Sequence, residues 1–275
     1  MRLVFWGVRG SFPVPGEDTL VYGGNTSCLE LELAGAPRVI LDAGSGLRLL
    51  GRRLIDNRVG DLVLLLTHLH WDHVMGFPFF EPAYRAGVRI RLGGFERALQ
   101  GLERMFDSGG CDGCFPVQFS QLAARIDLDP ELCQPSFPLG EARVNLLPLN
   151  HPQGSVGLRV EENGKSLVFI TDHELTGHGR PGLEETARFA EDADILVHDA
   201  QYVPEELLHR RGWGHSDWRS VVELARRAGV GRLVLTHHDP GRTDTEVAEL
   251  ARLAQEAAGP GLLVEAAWEG LALEL

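Results

Sequence analysis

The stretch LVLLLTHLHWDHVMG, Leu62 to Gly76, constrains the fold of this chain more than any other. Five consecutive apolar residues run directly into three histidines and an aspartate packed within six positions. A short, uninterrupted apolar run is the pattern of a strand covered on both faces. Such a strand is rigid, and whatever follows it is aimed by the sheet. His68 and His70 are two residues apart, so in an extended segment they point the same way and can share one ion. Asp72 and His73 lie beyond a short turn and face a neighbouring position. Imidazole and carboxylate donors suit zinc, with manganese or iron as alternatives. A closed structural zinc site would favour cysteines, which this cluster lacks.

The rest of the chain repeats the arrangement. RLVFWGV, SCLELEL and RVILDAG read as strands, GLRLLGRRLID as a helix, and ADILVHDA and RLVLT as further buried strands. Asn163-Gly164 between two strand-like runs predicts a tight hairpin. A helix is expected from a cap at Ser216 to Gly229. Another is expected from a capping box at Thr243 and Glu246 to Gly259. Alternating strands and helices place the chain in the α/β class. On this map Asp42, His68, His151, Asp172, Asp199 and His237 all fall at the carboxyl ends of strands, the edge where α/β folds assemble their sites.

Composition narrows the partners. The 275 residues carry a formal net charge of −13, with Lys165 the only lysine. A strongly acidic surface repels nucleic acid and anionic membranes. The start, MRLVFWGVRG, has no secretory pattern, and no apolar run approaches a membrane span. The expectation is a cytoplasmic protein without membrane contact, its oligomeric state open. One domain over residues 1–275 is expected, with a variable, insert-like region at about 77–139 whose path stays unsettled. Within it, VRIRLGG predicts a strand and FERALQGLERMF a helix, followed by a loop in DSGGCDGCFPVQFSQ. Cys111 and Cys114 form a lone C-x-x-C near Cys133, which leaves a disulfide or free thiols open. Cys28 reads as a core residue.

THLHWDH resembles the His-x-His-x-Asp-His pattern of the metallo-β-lactamase superfamily. That resemblance implies a four-layer αββα sandwich. It also implies two divalent ions, zinc first and manganese or iron second. His68, His70 and His151 would hold one ion, Asp72, His73 and His237 the other, and Asp172 both. His237 matches the family position better than His238, which is left either beside the ligands or exposed. Asp42 reads as an anchor for the ligand loop. His173 lines the pocket or is solvated.

GVRGSFPVPG, YGGNTSC, LDAGSGL, NHPQGSVGLRV and GHSDW resemble the phosphodiesterase and ribonuclease Z-like branch. The resemblance makes Asp72, His215 and Asp199 the candidate catalytic residues. His215 would protonate the leaving group, and Asp199 would orient it; otherwise Asp199 is a satisfied strand-end aspartate and His215 precedes a helix cap. A hydroxide shared by two such ions would attack phosphorus in line with the departing oxygen. A tethered lactone leaving group needs less help, so GHSDW favours phosphodiester chemistry. Without a visible basic clamping arm, and with Asp107 and Asp112 in the nearest candidate loop, the expected substrate is a small or nucleotide-derived phosphodiester and not tRNA. A lactone or thioester hydrolase, and a mononuclear iron dioxygenase, are the alternatives. A metal-free binding module fails because every ligand position is filled.

Overall fold

A computed structural model of the chain describes residues 1–106, 115–177 and 179–275. The strands are β1 (Arg2–Gly7), β2 (Cys28–Glu32), β3 (Arg38–Leu41), β4 (Asp61–Leu66), β5 (Arg89–Gly94), β6 (Arg125–Leu128), β7 (Ser136–Leu139), β8 (Ala142–Leu149), β9 (Ser155–Glu162), β10 (Lys165–Ile170), β11 (Ile195–Asp199), β12 (Arg232–Thr236), β13 (Leu263–Ala266) and β14 (Ala272–Glu274). The helices are α1 (Leu47–Asp56), α2 (Trp71–Val74), α3 (Ala98–Phe106), α4 (Leu183–Phe189), α5 (Pro204–Leu207), α6 (Trp218–Ala228) and α7 (Asp244–Ala258).

Among the described residues these strands pair into two seven-stranded sheets, ordered β14-β1-β2-β3-β4-β5-β6 and β13-β12-β11-β10-β9-β8-β7. In each sheet the strands nearest the helical connections are parallel, β3 to β6 and β10 to β13. The hairpin-connected strands are antiparallel. The opening strand shows why the layers stack as they do. Successive side chains of β4 point to opposite faces. Val63 and Leu65 enter a core between the sheets with Phe5, Val144, Leu158 and Phe169. Leu62, Leu64 and Leu66 enter an outer core with Leu50 and Leu54 of α1 and Leu102 of α3. On the far side, Val168, Ile170, Leu196 and Leu233 pack against Val221, Leu224 and Ala225 of α6 and Ala254 of α7. The order helix, sheet, sheet, helix is the expected four-layer sandwich.

Local signals resolve as follows. Glu162 pairs with Lys165 across a two-residue turn in which Asn163 and Gly164 have φ of 52° and 75°. Both values lie in the left-handed region that a tight hairpin of this kind demands. The Thr243 hydroxyl accepts from the Glu246 N–H while the Glu246 carboxylate accepts from the Thr243 N–H, capping α7. The start of α6 differs from expectation by one residue. Its cap is Asp217, which accepts from the N–H groups of Arg219 and Ser220. Ser216 instead donates to the His173 carbonyl at 2.6 Å. A serine and an aspartate side by side are equally good caps by chemistry, so only the packing around His173 separates them.

Residues 77–139 contribute β5 and α3 where VRIRLGG and FERALQGLERMF predict them. They also contribute β6 on the edge of the first sheet and β7 on the edge of the second. Both are four residues long and only partly buried, so they lack a readable apolar run. Cys111, Cys114, Asp107 and Asp112 lie outside the described residues. Cys28 is fully buried in the outer core, and the half-buried Cys133 donates weakly to the Asp129 carbonyl. No described helix is long and apolar enough to cross a membrane.

Candidate metal centre

One edge of the sandwich collects the strand ends. His68 lies two residues beyond β4, and Asp42 directly follows β3, both in the first sheet. His151 and Asp172 lie two residues beyond β8 and β10, Asp199 ends β11 and His237 directly follows β12, all in the second sheet. The two contributions meet in a pair of side-chain groups. His68, His70, His151 and Asp172 form one; Asp72, His73, Asp172 and His237 form the other. Within each group the candidate ligand atoms lie within 4.8 Å of one another.

Asp172 is common to both groups, and its two oxygens divide between them. Oδ1 lies 3.1 Å from Nε2 of His73 and 3.1 Å from Nε2 of His237. Oδ2 lies 3.4 Å from Nε2 of His68 and 3.5 Å from Nε2 of His151. Asp72 Oδ2 closes the second group at 3.1 Å from His237 and 3.3 Å from His73. His70 Nδ1 sits 2.9 Å from His151 Nε2 in the first. All but His70 are buried.

The far sides of the rings are anchored. His73 Nδ1 donates to Asp42 Oδ2 at 2.8 Å. His237 Nδ1 donates to Gln201 Oε1 at 3.0 Å, and His151 Nδ1 to the Gly214 carbonyl at 2.9 Å. Each acceptor engages Nδ1 and turns Nε2 toward the cluster. Asp42 also accepts from the N–H and hydroxyl of Thr67, so it ties the ligand loop to the end of β3 as expected. His238 turns away and donates to the Ala267 carbonyl. His173 is fully buried behind the site, neither lining it nor solvated, with Nε2 3.0 Å from the Thr186 hydroxyl.

Electrostatics follow from this packing. Burial pushes His68 down to about 3, helped by His73, and pushes His151 down to about 4. Both rings are therefore neutral and offer lone pairs. Burial alone would raise the carboxyls of Asp72 and Asp172, but positive charge on the surrounding rings holds both well below the usual carboxylate range, and burial of His73 is in turn outweighed by Asp172, Asp72 and Asp42, which hold it well above its ordinary value. His68 Nε2 is buried without a hydrogen-bond partner among the described residues. The bare nitrogen of His68 beside the ionised carboxylate of Asp172 costs free energy unless a cation joins them. The donor set fits a pair of divalent cations.

His215 stands beside this cluster with Nδ1 3.1 Å from Asp199 Oδ2 and 3.9 Å from Asp172 Oδ2. Its ring stacks on His237 with centroids 5.0 Å apart. Burial works against its charge, yet Asp199 and Asp172 outweigh burial and raise it to about 9. Asp199 accepts in addition from the N–H groups of Gln201 and Ser216. It is thus both a satisfied strand-end aspartate and the partner of His215.

Several residues here were not legible as site residues. Gln201 fixes His237 and also donates to Ser11 and Asp239. The Ser11 N–H donates to Asp72 Oδ2 at 2.7 Å. Gly10 and Gly214 give way to rings: a Cβ would sit 2.4 Å from Nδ1 of His237 or 2.1 Å from Nδ1 of His151. Glu174 accepts from the N–H groups of Gly212 and Gly214 and so holds the GHS loop. A glycine or a lone glutamine carries no local pattern of its own, and only the approach of a ring from elsewhere in the chain gives it a role.

A family model described as a β-lactamase superfamily domain matches residues 37–238. Ribonuclease Z from Haloarcula marismortui is 24% identical over 286 residues, covering 86% of this chain and 86% of that protein. Among solved structures, a diphosphatase of the PhnP family superposes with a TM-score of 0.70 at 18% identity, over 100% of this chain and 97% of that one. The short form of human tRNase Z superposes with a TM-score of 0.63 at 21% identity, over 100% and 99%. Relatives named for RNA cleavage overturn the expectation that tRNA is excluded. Net charge sums over the whole surface, whereas a substrate meets only the cleft at the site. That cleft, about 300 Å³, is lined by His68, His70, Phe95, Gln153 and a cation, Arg97. With the matched span taking in every proposed ligand up to His237, the chain belongs to the metallo-β-lactamase superfamily.

Proposed function

We propose that this protein is a metal-dependent phosphodiester hydrolase acting on nucleotide-derived phosphodiesters, RNA included. The observation that carries the reading is the division of the Asp172 carboxylate between two histidine groups, with His215 and Asp199 alongside. His68, His70 and His151 would hold one divalent ion, and Asp72, His73 and His237 the other, with Asp172 touching both. Zinc suits these donors, and manganese or iron tolerate them. Such a pair supplies activated water near neutral pH and neutralises charge on a phosphoryl oxygen.

The chain's own groups do the remainder. Asp42, Gln201 and the Gly214 carbonyl hold the far sides of the rings and aim each Nε2 into the cluster. With Nδ1 of His215 tied to Asp199, the proton at its Nε2 is the one available to a departing alkoxide. Ribonuclease Z relatives support a phosphodiester over an acyl substrate. The protein loaded with zinc or manganese is expected to cleave bis(p-nitrophenyl) phosphate, and Asp172→Ala to abolish both metal retention and turnover. His215→Ala is expected to lower kcat by about 10²–10⁴-fold on a substrate with a poor leaving group. Metal-loaded protein that opens lactones but cleaves no phosphodiester would sink this reading.

A further inference from the structure

Two hollows adjoin beside the first metal group. One is the cleft that His68, His70, Phe95, Gln153 and Arg97 line. The other, also about 300 Å³, is walled largely by Phe95, Cys133, Pro135, Leu146, Pro148 and Val156. They share Phe95 and Gly154, so they adjoin at that ring and are taken together as one depression. Gly154 has φ of +86°, and a Cβ there would face the Phe95 ring at 3.9 Å. With no side chain at Gly154, only its backbone stands beside the ring at this junction. Arg97 lies with its guanidinium 5.3 Å from the centre of the Phe95 ring. The depression thus runs from the metal ligands, past a cation and an aromatic ring, into an apolar hollow.

We infer that this depression is a binding site for a nucleoside phosphoryl group, with Arg97 meeting a phosphoryl oxygen and Phe95, Leu146 and Pro148 holding the base. An arginine fork matches phosphate oxygens. A flat base gains most from a ring, a guanidinium plane and an apolar wall, contacts that need no positively charged surface. That suits a chain whose formal net charge is −13. A neutral acyl group would fill the hollow but leave Arg97 idle. The choice of ligand rests on the phosphodiesterase reading, whereas its test does not use turnover.

The probes are AMP and ribose 5-phosphate, titrated calorimetrically into the full-length protein. AMP is expected to bind about tenfold or more tightly than ribose 5-phosphate, since the two differ by the base alone. Phe95→Ala removes the ring, and Leu146→Trp fills the hollow; each is expected to shrink that margin to about threefold or less. Arg97→Ala is expected to weaken both ligands together, by about fivefold or more. Phe95 and Arg97 are not part of the buried core, so two of the three variants test the idea even if Leu146→Trp fails to fold. The inference is overturned if AMP binds no tighter than ribose 5-phosphate, or if the margin survives in a folded Phe95→Ala protein. The dinucleotide ApA and an RNA hairpin with a 3′ extension then compete against AMP. Displacement by either identifies the carrier of the base, and displacement by neither overturns the inference. Hydrolysis of bis(p-nitrophenyl) phosphate is scored separately, so protein that binds AMP as expected but hydrolyses nothing would retire the hydrolase reading alone.

Discussion

Asp42 shows how much a residue outside the ligand set controls. One of its oxygens accepts from both the N–H and the hydroxyl of Thr67, and the other accepts from His73 Nδ1. It therefore orients a candidate ligand and fixes the position of the loop that carries four of them. An asparagine there has one acceptor oxygen and presents a donor to a donor on the other side. Asp42→Asn is expected to weaken metal retention by about 10–100-fold, read by competition with a chromogenic chelator. Retention equal to wild type would show that the loop holds His73 without this bond. At this scale the residues that the structure brings together were legible where a residue type is scarce and chemically marked. The histidines and aspartates of HLHWDH, with His151, Asp172 and His237, all reach one cluster. Gln201, Ser11, Gly10 and Gly214 were not legible, because their types are common and their roles come from partners 36 and 61 residues away in the chain or from ring packing.

Among the elements, β4 repays the attention its sequence draws. Leu64 is fully buried on the helix side of the first sheet, between strand and α1. The neighbouring Val63 and Leu65 are just as buried on the other side, between the sheets. Leu64→Ala is expected to cost about 2–5 kcal/mol, because the sheet and helix close only partly over the space left. Denaturant unfolding with unchanged m reads the loss; a change under about 1 kcal/mol would mean that the outer layer repacks freely. The hairpin at Asn163-Gly164 and the cap at Thr243 were legible because they are local: the turn and cap chemistry sits within a few residues. β6 and β7 were not, because each is a short edge strand half open to solvent, and its partner rather than its own pattern makes it a strand.

For the molecule as a whole, the centre joins the two sheets. His68, His70, Asp72 and His73 come from the loop after β4, while His151, Asp172 and His237 come from the second sheet. Ions bound there would favour the folded state over the unfolded by mass action, since an unfolded chain cannot bring these strand ends together. Removing them with a chelator is expected to lower Tm by about 5–15 °C, with recovery on adding zinc or manganese. A Tm indifferent to chelation would mean that the sandwich closes without help from the centre.

The sequence by itself determined the class of fold, the identity of the candidate ligands and the turns and caps, because these follow from periodicity and from side-chain chemistry within a short window. It did not determine how those ligands are shared, which nitrogen each ring presents, or what the mouth of the site can accept. The Asp172 carboxylate divides its oxygens between two groups only because two sheets bring four imidazoles around it. The acidic total suggested that RNA would be turned away, yet the cleft holds Arg97 over Phe95. Composition averages over the surface, and only tertiary structure decides which few charges meet the substrate.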